Sequence, residues 1–113
     1  MVDRKLQILV VEDDELDRLI IKKALKNSSI NHELHFAEDH ESGKAATQNQ
    51  EYDCIFLDYN LPGGTGLELL KEIRNAGNQS PIIIVTSQGD EKIAVEAMKN
   101  GANDYIPKNR SIR

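Results

Sequence analysis

Four apolar runs in this 113-residue chain each end on a group that can do chemistry. Ile8-Leu9-Val10-Val11 leads into Glu12-Asp13-Asp14, and Cys54-Ile55-Phe56-Leu57 into Asp58. Ile82-Ile83-Ile84-Val85 leads into Thr86, and Tyr105-Ile106-Pro107 into Lys108. An open parallel sheet presents its working groups just beyond the carboxyl ends of its strands. Read as neighbouring strands, the four runs bring an acidic pair, a lone aspartate, a hydroxyl and an amine to one edge. Carboxylates gathered so closely cannot all stay ionised without a counter-ion. Mg²⁺ meets that need, since it takes one or two carboxylates together with waters and phosphate oxygens. Asp13 and Asp58 are the expected direct ligands, with Glu12 acting through water or orienting the shell. A backbone carbonyl near Asn60 would complete the set. An aspartate can also attack a phosphoryl donor and form an acyl phosphate. In such a transfer Lys108 would neutralise one phosphoryl oxygen as a point charge, and Thr86 would donate a hydrogen bond to another.

The elements that must position these groups alternate along the chain. Leu6 to Val11 is a near-continuous apolar run, the pattern of a strand buried on both faces. Asp14 is placed to cap the helix that follows, and Glu15 and Asp17 read as acids favoured at a helix start. Leu16, Leu19, Ile20 and Ala24 give that helix its spacing, and Asn27-Ser28-Ser29 ends it. Glu33 to Ala37 is a more polar strand, as suits a sheet edge, and a weak helix over Asp39 to Gln48 is interrupted by Gly43. Asp53 to Leu57 is the third strand, followed by a Pro62-Gly63-Gly64 loop and a helix over Leu67 to Asn75 with Leu69, Leu70 and Ile73 on one side. Pro81 to Val85 is the fourth strand. Asp90 would cap the helix Glu91 to Lys99, whose Ile93, Ala94, Ala97 and Met98 are expected to face inward, and Asp104 to Ile106 is a short fifth strand. Alternating βα units imply an α/β fold, a parallel sheet with helices on both faces. Only Pro107 to Arg113 follow the last strand, too few for a fifth helix of normal length.

Composition narrows the function classes. The chain is 39% hydrophobic and 29% charged, the balance of one ordinary globular domain spanning 1–113. A net charge of −5 argues against non-specific nucleic-acid binding and against anionic membranes. Two phenylalanines, three tyrosines and no tryptophan offer no base-stacking platform. No apolar run approaches membrane-spanning length, and the start of the chain shows no secretory segment. The single cysteine, Cys54, excludes an internal disulfide and fits a core position in a reducing, cytoplasmic setting.

In combination these segments resemble the receiver domains of two-component response regulators. Ile8 to Asp14 resembles the family's first strand and acidic pair, and Leu57-Asp58-Tyr59-Asn60-Leu61-Pro62-Gly63-Gly64-Thr65-Gly66-Leu67 its phosphoacceptor loop. Pro81 to Ser87 resembles the strand with the switch hydroxyl, and Gly101 to Lys108 the aromatic-plus-lysine end. The resemblance implies a CheY-like, flavodoxin-like doubly wound sheet of five parallel strands in the order 2-1-3-4-5, here with the fifth helix missing or truncated. It implies that Asp58 takes a phosphoryl group from a sensor histidine kinase or a histidine phosphotransfer protein. Asp13, Asp58 and the Asn60 carbonyl would bind Mg²⁺, supported by Glu12. Thr86 and Tyr105 would act as switch residues, altering the face made by the fourth helix and fifth strand for a downstream effector domain or protein. Two features depart from the pattern. Asn109 stands after Lys108 where the family usually has proline, so the following loop is expected to be reshaped. Without a fifth helix, apolar surface would be exposed and self-association invited.

Other readings fit less well. A phosphatase with an aspartyl-phosphate intermediate, of the haloacid dehalogenase type, needs a second aspartate where Asn60 stands, and an amide cannot shuttle a proton. The chain is therefore expected not to be an enzyme beyond its own phosphorylation and slow dephosphorylation. A flavin carrier needs a phosphate loop after the first strand, where Glu12-Asp13-Asp14 would repel the ligand. A pseudo-receiver, binding partners without phosphotransfer, is the remaining alternative. Arg18, Lys22, Lys23 and Lys26 on the first helix are candidates for kinase docking or simply a solvated face, and Gln88 flanks the site two residues past Thr86.

Overall fold

The computed structural model describes residues 4–87 and 91–108. The strands are β1 (Leu6–Val11), β2 (His32–Ala37), β3 (Cys54–Asp58), β4 (Ile82–Thr86) and β5 (Asp104–Pro107). Between them lie α1 (Glu15–Lys26), α2 (His40–Gln48), α3 (Gly66–Asn75) and α4 (Glu91–Lys99). The strands form one parallel sheet in the order β2-β1-β3-β4-β5, as expected. Each crossover contains one helix. Right-handed crossovers place the helix of the leftward step, α1, on one face and those of the rightward steps, α2 to α4, on the other.

The two faces differ in cover. Leu9, Val11, Ile55, Leu57, Ile82 and Ile84 project towards α2 to α4 and join Leu69, Leu70, Ile73 and Ala97 in one core. Gly43 allows close approach here, because a Cβ would lie 2.9 Å from a Leu69 methyl and 3.0 Å from Val11. The other face is covered by α1 among the described residues, and Phe36 and Ile106 remain exposed on it. The apolar stripe of α1 that gave the helix its spacing is not the part it buries: Leu16, Leu19 and Ile20 are 58%, 49% and 52% exposed. The covered positions are Asp17, Arg18, Ile21 and Leu25, of which Asp17 alone is fully buried. Met98, expected inside, also lies on the surface, whereas Ala97 is buried as expected.

Local chemistry accounts for the helix limits. Asp14 caps α1, its Oδ1 accepting the Leu16 N–H at 2.9 Å. At α3 the Thr65 hydroxyl accepts the Glu68 N–H and the Glu68 carboxylate accepts the Thr65 N–H, a reciprocal cap. Gly77 and Gly101 follow α3 and α4 with φ of 89° and 103°, a left-handed geometry that costs glycine little. The expected cap of α4, Asp90, lies outside the described residues, as do Gln88 and Asn109.

The ends of the sheet are built differently. At the amino ends of the strands the loops are joined by hydrogen bonds. Arg74 donates to the carbonyls of Asn78, Ser80 and Gly101 and to the Asn103 side chain. Asn78 donates to the Thr47 carbonyl, and the Ser80 hydroxyl accepts the Tyr52 N–H. The carboxyl ends, by contrast, gather charge.

Candidate functional site

Strand pairing brings the reactive positions together. Val11 pairs with Leu57, so Glu12 and Asp58 emerge side by side where β1 and β3 end. Asp58 pairs with Val85 and Thr86 with Pro107, which sets Thr86 and Lys108 along the same edge. The Lys108 N–H donates to the Thr86 carbonyl at 2.6 Å, fixing the lysine backbone against β4. Carboxylate oxygens of Glu12, Asp13 and Asp58 lie within 4.8 Å of one another. The Lys108 ammonium reaches in to 2.8 Å from Glu12 Oε1, 2.8 Å from Asp17 Oδ2 and 3.3 Å from Asp58 Oδ1. Asp13, Asp14, Asn60 and Ser87 join these four groups in lining a cleft of about 220 Å³.

Burial sets the electrostatics. Glu12 and Asp58 are 2% and 6% exposed. Burial pushes the Glu12 carboxyl up to about 7, although the Lys108 ammonium and the Asp14 N–H pull it down. The Asp58 carboxyl is raised for the same reason, against opposing pulls from Lys108, Glu12 and the Asn60 N–H. Burial works to lower Lys108, but the bonds to Asp17 and Glu12 and the charge of Asp58 outweigh it, and its ammonium is held more firmly protonated. Among the described residues five carboxylates thus line the cleft with one lysine, and three of the five contact it. Glu12, Asp13 and Asp58 present hard oxygen donors to a common point, a donor set that fits Mg²⁺ or a similar divalent ion.

The expected residues assemble with differences of detail. Glu12, Asp13, Asp58 and Lys108 converge. Thr86 is fully buried at the end of β4, and Ser87 rather than Thr86 lines the cleft. Asn60 reaches the cleft. Tyr105 is half-buried against the core. Arg18, one of the docking candidates, donates from Nη1 to the Glu12 carbonyl at 2.8 Å, so it braces the first acid, while Lys22, Lys23 and Lys26 are exposed. Asp17 is the residue that sequence reasoning assigned to the helix start alone. It is 6% exposed and bonded to Lys108. The available signal was its phase, since Asp17, Ile21 and Leu25 share one side of α1 at four-residue intervals.

Known proteins place this arrangement. The sequence pattern of the "Response regulator receiver domain" matches residues 8–113. The transcriptional regulatory protein SrrA of Staphylococcus aureus (strain NCTC 8325 / PS 47) is 35% identical over 102 residues, 90% of this chain and 41% of SrrA. The chain therefore spans less than half the length of that relative. Among solved structures, the Mn²⁺-bound form of response regulator Rcp1 superposes with a TM-score of 0.85 at 30% identity, covering 95% of this chain and 84% of Rcp1. The response regulator domain of Thermotoga maritima CheB also gives 0.85 at 30% identity, over 97% of this chain and 84% of that one. The phosphorylated cyanobacterial phytochrome response regulator RcpA gives 0.83 at 28% identity, over 96% and 84%. With the sheet order, the acidic edge and these likenesses in agreement, the chain belongs to the response regulator receiver domains of two-component systems.

Proposed function

We propose that this domain is a phosphorylation-dependent switch in which Asp58 accepts a phosphoryl group from the phosphohistidine of a sensor kinase or a phosphotransfer protein. The observation that carries this reading is the buried Asp58 carboxylate at an open cleft, with an ammonium at 3.3 Å and oxygens of two further carboxylates within 4.8 Å. In the transfer an Asp58 oxygen bonds to phosphorus as the phosphorus–nitrogen bond to histidine breaks. The electron pair stays on the imidazole nitrogen, which takes up a proton. Lys108 offsets charge on a transferred oxygen, and Glu12, Asp13, Asp58 and the Asn60 carbonyl would hold Mg²⁺. When bound, that ion neutralises the carboxylates and the incoming phosphoryl oxygens. Asn60 supplies no proton transfer for hydrolysis, which favours a lasting modification over turnover.

The output belongs to the same proposal. A new dianion at Asp58 favours whichever arrangement of Thr86 and Tyr105 contacts it better, and so biases the surface of α4 and β5 that an effector reads. Among the described residues no helix is long and apolar enough to cross a membrane, and a cytoplasmic location suits a kinase partner. Incubation with acetyl phosphate and Mg²⁺, followed by intact mass, should show one phosphoryl per chain. The adduct should disappear with Asp58→Asn or on chelation of the metal. Failure of the unaltered chain to form any adduct would sink the switch and favour a pseudo-receiver.

A further inference from the structure

The Lys108 ammonium has three N–H donors and stands within 3.3 Å of three carboxylates. Two of the three, Glu12 and Asp58, belong to the cluster able to hold a metal ion; Asp17 does not. Once Glu12 turns to the metal shell and Asp58 to phosphorus, Asp17 is the one partner of this trio that lies outside the metal cluster. It occupies an unusual place for a carboxylate, since its phase on α1 is that of the covered residues Ile21 and Leu25 and it is 6% exposed. An acid buried there is costly unless paired. Its helix is fixed beside the site by the Asp14 cap and by the Arg18 bond to the Glu12 carbonyl. From the other side, the lysine backbone is tied to the Thr86 carbonyl.

We propose that Asp17 is a positioning residue for phosphoryl transfer, holding the Lys108 ammonium at the cleft while the other two carboxylates are engaged. The lysine is thereby fixed at both ends, by backbone at β4 and by charge at α1. A long, flexible side chain that would otherwise sample many rotamers is kept within reach of the incoming phosphoryl oxygens. This rests on the reading of Asp58 as phosphoacceptor.

The test compares phosphorylation of the 113-residue chain by acetyl phosphate at saturating Mg²⁺ with that of Asp17→Asn, a change of charge with little change of shape. The variant should react about tenfold more slowly, the size usual for loss of a partner that orients a site residue. Its Mg²⁺ affinity, by calorimetry, should stay within about threefold, since Asp17 is not in the metal cluster. In a Lys108→Ala background the same substitution should change the rate by less than about twofold, because the two residues act as one unit. An unchanged rate in the single variant overturns the proposal, as does an equal loss in the Lys108→Ala background. A structure of the unaltered chain with beryllofluoride and Mg²⁺ gives a second test that does not depend on the variant folding. Asp17 should remain within about 3.2 Å of Lys108 Nζ, and separation of the pair overturns the idea. Should the unaltered chain take no phosphoryl group, the switch reading falls and this proposal with it. Should it react while Asp17→Asn keeps pace, only the role of Asp17 falls.

Discussion

At the residue scale, the group that most governs the site's response to pH is Glu12. Its carboxyl is raised to about 7 from 4.5, chiefly by burial. Between those values the metal-free folded domain holds a proton that the unfolded chain has released. The folded state then binds more protons than the unfolded state, so stability should fall as pH rises through this window. A metal ion draws on the ionised carboxylates, so its binding expels that proton and its affinity should follow the opposite course. Calorimetric titration with Mg²⁺ should give a dissociation constant about tenfold lower at pH 8 than at pH 6, the size expected for release of one proton across that range. Glu12→Gln should flatten the dependence, and an equally flat profile in the unaltered domain would refute the assignment. The acids at positions 12, 13 and 58 were legible in the sequence because each follows a run of residues that must be buried. Asp17 was hidden by a sufficient simpler explanation, as acids are common in the first turn of any helix.

At the element scale, the link between Asp58 and α3 is a backbone contact with no room to spare. Gly66 opens α3 and donates its N–H to the Tyr59 carbonyl at 2.7 Å. A Cβ at Gly66 would overlap the carbonyl oxygen of Asp58. Gly66→Ala should therefore lower unfolding stability by about 2 kcal/mol in urea titration, despite the helix preference of alanine. On the proposed reading it should also slow phosphorylation of Asp58, because the loop that follows Asp58 must shift. An unaltered urea midpoint would show that the contact yields without cost. Helix and strand order were readable here from apolar periodicity and caps, and the observed bounds differ from expectation by a residue or so. The covered side of α1 was not readable. Leu16, Leu19 and Ile20 mark an apolar stripe, but which stripe is covered depends on how the helix rests on the sheet, a tertiary fact. Met98 failed for the same reason. The order of the strands likewise came from the family resemblance, since alternation of β and α does not fix it.

At the scale of the whole molecule, the two ends of the sheet are governed by different forces. Among the described residues the carboxyl edge concentrates like charge around one lysine. The amino edge is tied by Arg74, Asn78, Ser80 and Asn103 through bonds that do not depend on neutralising that charge. Hydrogen exchange on the metal-free domain should therefore find the amides of Ser80, Ile82 and Asn103 better protected than those of Tyr59, Gly64 and Gly66. Added Mg²⁺ should slow the second group and leave the first almost unchanged. Uniform protection along the strands would contradict this division. The Arg74 bracket thus makes one pole of the domain an anvil. An event at the opposite pole cannot be absorbed by slippage of the strand roots beneath it, and its displacement is left to travel sideways, into the outer helices and the margin of the sheet.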